Sequence, residues 1–218
     1  VSRQDIQDAF VSFEIRAANT YRPAFNHHGQ VCFSTDRIYV VRSVADKFIE
    51  MLKATASNVP VGGAVSQRLA QAAAAKLIDA EKKGAKFLHG SSEFKDKSSA
   101  TLTPSILTGV TKEMEIFDEE SFGPTVAVYT VDDQEEALKL VNASSYGLVG
   151  SVFTRDLHRG IDIARRMETG IAHVNGMTAY DECKSCPSCA LGTSKILIFP
   201  AFSDPSIRRG EEQRMGTD

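Results

Sequence analysis

The chain has 218 residues, 42% of them hydrophobic and 24% charged, with a formal net charge of −3. That is enough apolar material for one buried core, and the charge balance argues against a nucleic-acid or anionic-membrane partner. No apolar run approaches the ~20 residues that span a bilayer; the longest, KILIFPAF, is broken by Pro200.

Residues 4–21 carry Ile6, Ala9, Phe10 and Phe13 at helical spacing and predict a first helix. The β-branched and aromatic run Arg37 to Arg42 predicts a buried strand. Ser43, with Asp46 three residues on, reads as the N-cap of a helix whose Val44, Phe48, Met51 and Leu52 share a face. After the turn-rich NVPVGGAVS, Ser66 begins an alanine-rich helix whose Leu69, Ala73, Leu77 and Ala80 keep helical spacing. Gly84 sits where that helix should stop.

AKFLHG reads as a strand and SSEFKDKSS as a solvated loop. Thr125 to Val131 predicts another strand, and DDQEEALKLVNAS a helix with acidic residues in its first turn, where the helix dipole favours them. YGLVGSVFT is strand-like; RDLHRGIDIARRME follows as a helix with Leu157, Ile161 and Ala164 on one face, then Gly170 as a stop and IAHVN as a short strand. This alternation predicts an α/β fold, a layered α/β/α sheet with βαβ crossovers. A boundary is expected near Tyr180: one domain over 1–180, with 1–24 divergent in character, then a poorly ordered tail over 181–218.

The chain begins at Val1 without a basic-then-apolar leader, so no secretory signal is expected. Four cysteines occur, three of them, Cys183, Cys186 and Cys189, crowded into that tail. This is not a disulfide framework, and it predicts a reducing, cytoplasmic setting. CKSCPSC could offer three thiolates to a metal, but structural zinc needs four ligands and no fourth is in sight, so no metal site is expected.

Cys32 stands apart, in FNHHGQVCFSTDR, on a glycine-containing loop between a helix and a strand. A free cysteine is usually a small buried hydrophobe. A loop of this kind can instead expose the sulfur, and the Cys32 N–H could hold an oxyanion. His27 and His28 could lower its pKa, although histidines so near in sequence seldom have the geometry for a Cys-His pair. A second segment, FDEESFGPTVAVY, sets Glu119 and Glu120 before an aromatic and a Gly-Pro turn. A carboxylate there could accept hydrogen bonds from a ribose diol, and Phe122 could pack on a flat heterocycle; a plain acidic loop is the alternative.

Taken together, these segments resemble the aldehyde dehydrogenase superfamily. FNHHGQVC is similar to its Gly-Gln-x-Cys signature, EESFGP to its Glu-Glu-x-Phe-Gly-Pro motif, NASSYGLVGSVFTRD to its Asn-x-x-x-Tyr-Gly-Leu segment, and METGIAHVNG to its Gly-x-x-x-Val-Asn strand. The matches stand in the family's order between Phe25 and Gly176, and the wording GQVCFSTDRIYV leans toward members acting on aromatic aldehydes.

The resemblance implies that Cys32 is the nucleophile, that Glu120 and Phe122 hold the nicotinamide end of NAD or NADP, and that the substrate is a small-molecule aldehyde oxidised to its acid. It also implies oligomers, as in the family. Phe33 would be a wall of the aldehyde pocket. Three departures qualify it. No Glu-Leu-Gly-Gly motif, which carries the family's general base, is present. The coenzyme domain would lie wholly upstream and is expected to be missing, and the Gly-Gly-x-x-x-Ser-Gly run after the Val-Asn strand is replaced by the cysteine-bearing segment. The sequence thus reads as a catalytic-domain portion with both ends altered, which leaves two further readings: an inactive, truncated relative that binds a partner, or a residual thiol esterase.

Overall fold

The computed structural model describes residues 24–60, 62–96, 100–179 and 194–198. The first predicted helix and the three tail cysteines lie outside them. Nine strands occur in the described residues: β1 (Thr35–Val41), β2 (Lys86–His89), β3 (Phe94–Asp96), β4 (Thr101–Leu102), β5 (Ser105–Thr108), β6 (Thr125–Val131), β7 (Val149–Phe153), β8 (Ile171–Val174) and β9 (Ser194–Ile198). Seven form one sheet in the order β2-β5-β6-β1-β9-β7-β8, parallel except at β2, which pairs antiparallel with β5.

Four helices cover it: α1 (Arg42–Ala56), α2 (Gln67–Lys82), α3 (Gln134–Asn142) and α4 (Leu157–Arg166). Alternate residues of β1 divide the core between two faces, as strand geometry requires. Ile38 and Val40 pack with Phe48 and Leu52 of α1 on one side. Tyr39 and Val41 pack with Ala137, Val141 and Ile163 of α3 and α4 on the other, where Leu77 and Ala80 of α2 also lie against Leu107 and Ala127. Phe48 and Leu52 are fully buried, each side chain contributing about 1.5–3 kcal/mol. The α/β/α layering expected from the alternation is therefore the observed one.

The local signals fared unevenly. Ser66 caps α2, its Oγ accepting from Leu69 N–H at 3.4 Å, and Asp133 caps α3 by accepting from Glu135 and Glu136 N–H, both at 2.9 Å. Ser43 is not a cap: α1 starts at Arg42, directly off β1, with Val41 in the cap position and no side-chain bond. SSEFKDKSS is not simply a loop, since β3 lies within it and pairs with β4. Leu69, Leu157 and Ile161, which stand on the periodic faces read from the sequence, are 39%, 57% and 38% exposed, and Ala70, Gly160 and Ile163 take the buried positions.

The largest correction concerns the tail. Residues 194–198, expected to be poorly ordered, form β9 at the centre of the sheet, between β1 and β7, with Leu197 and Ile198 fully buried. The physical reason is in KILIF itself: a strand covered on both faces needs a continuous apolar run, with no alternation to betray it. No helix among the described residues is long and apolar enough to cross a membrane.

Candidate active site

β1 and β6 are parallel neighbours, with Arg37 opposite Ala127. The loops that lead into them therefore emerge at the same edge of the sheet, which brings the cysteine loop against the turn of FDEESFGP. The contact is main chain on main chain. Gly29 has φ +73°, and a Cβ there would fall 1.9 Å from the Gly123 carbonyl oxygen. Gly123 is tight as well: a Cβ on it would lie 2.6 Å from the Ala73 methyl of α2. Only glycine at both positions permits this approach.

Side chains around the contact complete the fixing of both loops. Leu102 N–H donates to His28 Nε2 at 2.9 Å, and Val65 N–H to Gln30 Oε1 at 2.8 Å. Arg37, 2% exposed, donates from Nη1 to Ser144 Oγ at 2.6 Å and from Nη2 to the Asp118 carbonyl at 3.0 Å. Asp118 itself accepts from Ser145 Oγ at 2.8 Å. Beneath the turn Tyr39 and Tyr129, directly opposite in register, stack with ring centroids 5.1 Å apart. Such a stack contributes about 1 kcal/mol beyond its burial.

Cys32 is exposed and is a free thiol. It lines a narrow cleft with Asp36, Glu120 and Phe122, floored by Gly29 and Ser34. The cleft leaves ≈ 10 Å³ for the centre of a water-sized molecule, which is room for one. Phe122 is 40% exposed and has φ +46°, a left-handed conformation unusual for an aromatic residue. The two carboxylates of the motif part company: Glu119 is ion-paired with Lys76 of α2, whereas Glu120 lines the cleft.

All three residues singled out in the sequence, Cys32, Glu120 and Phe122, are thus brought together. The two histidines are not part of that group. His28 is buried, its Nε2 accepts from the backbone, and burial pushes its pKa below the usual value; His27 is exposed, and neither lines the cleft. A protonated His28 activating Cys32 is excluded by that arrangement. Phe33 is half-buried and also outside the cleft lining. A larger cavity of ≈ 730 Å³, lined by Phe25, His28, Thr55 and Val59 among others, contains none of the three. No group of three or more potential metal ligands occurs among the described residues.

Asp36 also lines the cleft, and the sequence reading did not single it out. Half-buried, it is pushed up to about 7 by burial; adjacent Arg37 opposes the shift, Glu120 adds to it, and the Ser121 N–H and Lys76 oppose it. The available signal was slight: an acid immediately before a strand that reads as fully buried.

Comparison with known proteins bears on what this site is. The model of the "Aldehyde dehydrogenase family" matches residues 8–192. A vanillin dehydrogenase of Pseudomonas sp. (strain HR199 / DSM 7063) is 36% identical over 171 residues, covering 74% of this chain and 34% of that protein. A benzaldehyde dehydrogenase of Bacillus subtilis (strain 168) is 32% identical over 200 residues, covering 87% of this chain and 39% of that one. Among solved structures, a salicylaldehyde dehydrogenase from Pseudomonas putida G7, complexed with salicylaldehyde, superposes with a TM-score of 0.73 at 29% identity, over 79% of this chain and 37% of that one. The chain spans little more than a third of the length of these relatives.

Proposed function

Because the chain belongs to the aldehyde dehydrogenase family, we propose that Cys32 is the nucleophile of an aldehyde oxidation and that Glu120 and Phe122 hold the nicotinamide end of the coenzyme beside it. One observation carries this reading: an exposed free thiol shares a single cleft with that carboxylate and that ring. The names of the relatives favour an aromatic aldehyde as substrate. The setting is cytoplasmic, where an exposed thiol stays reduced.

In the proposed reaction the Cys32 thiolate attacks the aldehyde carbon. A C–S bond forms, the carbonyl π pair moves to oxygen, and the Cys32 N–H donates to the resulting oxyanion of the thiohemiacetal. The residues present fit the reacting end of a nicotinamide coenzyme: Glu120 offers acceptors for a ribose diol, and the half-exposed Phe122 ring offers a flat apolar face. NAD or NADP, held by Glu120 and Phe122, would supply the hydride acceptor that oxidation of the thiohemiacetal to a thioester requires. Water attacking the thioester carbon then frees the acid and returns the Cys32 sulfur.

The test isolates Cys32 from the coenzyme. p-Nitrophenyl acetate should acetylate the Cys32 peptide, read by mass spectrometry, and benzaldehyde should slow that acetylation by occupying the sulfur reversibly. Replacement by Cys32→Ala should remove the fast release of p-nitrophenol. Equal release in both proteins, with no acetyl group on Cys32, overturns the reading.

A further inference from the structure

The turn that carries Glu120 and Phe122 is held at its two ends by different means. At the Gly123 end the backbone is pressed on Gly29, and Gly123 N–H donates to Ser121 Oγ at 3.1 Å. At the Asp118 end the anchor is a buried cation. Arg37, on the strand that follows Cys32, donates from Nη2 to the Asp118 carbonyl at 3.0 Å and from Nη1 to Ser144 Oγ at 2.6 Å. Ser144 Oγ donates in turn to Asp118 Oδ1 at 3.3 Å. Ser145 closes the ring on the same carboxylate, from N–H to Oδ1 at 3.2 Å and from Oγ to Oδ2 at 2.8 Å. One guanidinium thus joins the start of β1, the head of the turn and the loop ahead of β7.

Between these anchors Phe122 keeps its left-handed φ of +46°, a conformation that persists only where the surroundings over-determine it. We propose that Arg37 is a positioning residue, its fork on Asp118 and Ser144 setting where the Glu120 carboxylate and the Phe122 ring stand relative to the Cys32 sulfur. It touches neither coenzyme nor aldehyde. Its part is to tie the turn to the strand behind the cysteine loop, so that the ribose-holding group and the nucleophile address one ligand. The fork is what matters, not the charge alone: a lysine at this place carries the charge but lacks the planar pair of donors that reaches two acceptors at once. This inference rests on the proposed reading of Glu120 and Phe122 as holders of the nicotinamide end.

The test reads the position of Glu120 from the sulfur itself. The full chain is alkylated in parallel with iodoacetate and iodoacetamide, and both rates are followed by mass spectrometry of the Cys32 peptide, because three other cysteines are present. Both reagents consume the same thiolate, so the thiol's ionisation cancels in the ratio of the rates. What remains is the local field: iodoacetate is an anion, and the Glu120 carboxylate lining the same narrow cleft repels it. Measurement at about pH 9 keeps the carboxylates of the cleft ionised.

Glu120→Gln sets the scale and should raise the iodoacetate-to-iodoacetamide ratio about threefold. Arg37→Lys keeps the positive charge and breaks the fork; it should raise the ratio about twofold, because the carboxylate is no longer held in the cleft. In the Glu120→Gln background the same change should add nothing, since the group through which Arg37 acts is already gone. A role in stability alone leaves the ratio where it was, and a general opening of the cleft raises it equally in both backgrounds. Either result overturns the inference. Should Arg37→Lys fail to fold, Ser144→Ala, which deletes the hydroxyl that Nη1 addresses, is compared in the same two backgrounds and judged by the same outcomes. A wild-type ratio in Glu120→Gln overturns instead the reading that Glu120 stands beside the nucleophile.

Discussion

Where β1 and β6 begin, the chain is held by backbone approach, with Gly29 pressed on Gly123 and the buried Arg37 reaching the Asp118 carbonyl. Where the same two strands end, Arg42 meets Asp132 across open solvent, their side chains 67% and 72% exposed and 2.6 Å apart at the closest oxygen. One end tolerates almost no added atom; the other is joined by two side chains that water can replace. On the proposed reading of Cys32, the difference gives a reason for a nucleophilic thiol to sit at the first end. A nucleophile must be positioned to a fraction of an ångström, and packed main chain does this better than screened charge.

Gly29→Ala should have the largest effect. Its methyl would meet the Gly123 carbonyl at 1.9 Å while the backbone stays left-handed. A destabilisation of about 4 kcal/mol or more by urea unfolding is expected, with loss of selective Cys32 alkylation. Gly84→Ala supplies the contrast, for φ is +102° there but no atom lies within 4 Å of the added Cβ. It should cost about 1–2 kcal/mol, from conformation alone. Similar losses at both positions would mean that steric contact at the strand starts is not what holds them. Leu197→Ala, in the central strand between the two ends, should cost about 3 kcal/mol in the same measurement.

How much of this was open to a reader of the sequence follows from which forces are local. Ser66, the acidic first turn of α3 and the run Thr125–Val131 act within a few residues of themselves, and the structure uses them as expected. Ser43 misled because the chain passes from strand to helix without a connecting turn, leaving no position for a cap. Leu157 and Ile161 misled because α4 is narrow in what it buries, with Gly160 pressed against Val174 and Thr154. β9 was hidden by its surroundings, a buried strand flanked by segments of a different style. The site was legible only as two separate phrases. That Gly29 faces Gly123 depends on β1 and β6 being neighbours, and Asp36 acquires its character first from burial and then from charges that include Glu120, far away in sequence.

The strand starts also contain a group whose charged form works against folding, which gives the next effect in size. Asp36 has its folded pKa raised from 3.8 to about 7. The native state therefore keeps a proton that the unfolded chain releases, so stability is fullest below pH 3.8 and declines as pH rises toward 7. Asp36→Asn should match wild type in acid and gain on it through that window. The gain should reach about 2 kcal/mol at neutral pH, less than the full shift because Asp36 keeps some contact with solvent. Thermal melts at a series of pH values measure it. An unvarying difference would mean that Asp36 is no less at ease charged than in the unfolded chain.

The smallest effect belongs to the other end. Arg42 Nε and Nη2 both address the same Asp132 oxygen, so the pair lacks the fork-on-fork geometry that strengthens arginine carboxylate contacts. With both side chains mostly in water, the Coulomb gain is offset by screening and by the entropy of holding two long groups still. Asp132→Ala should therefore cost about 0.5 kcal/mol in low salt and less in high salt, with Cys32 alkylation unchanged. Its carboxylate spans no buried gap, and Asp132 N–H already has Glu136 Oε2 as acceptor at 2.7 Å. A loss comparable with that of Gly29→Ala would erase the contrast between the two ends, since it would require an exposed ion pair to hold the strands as firmly as buried main chain does.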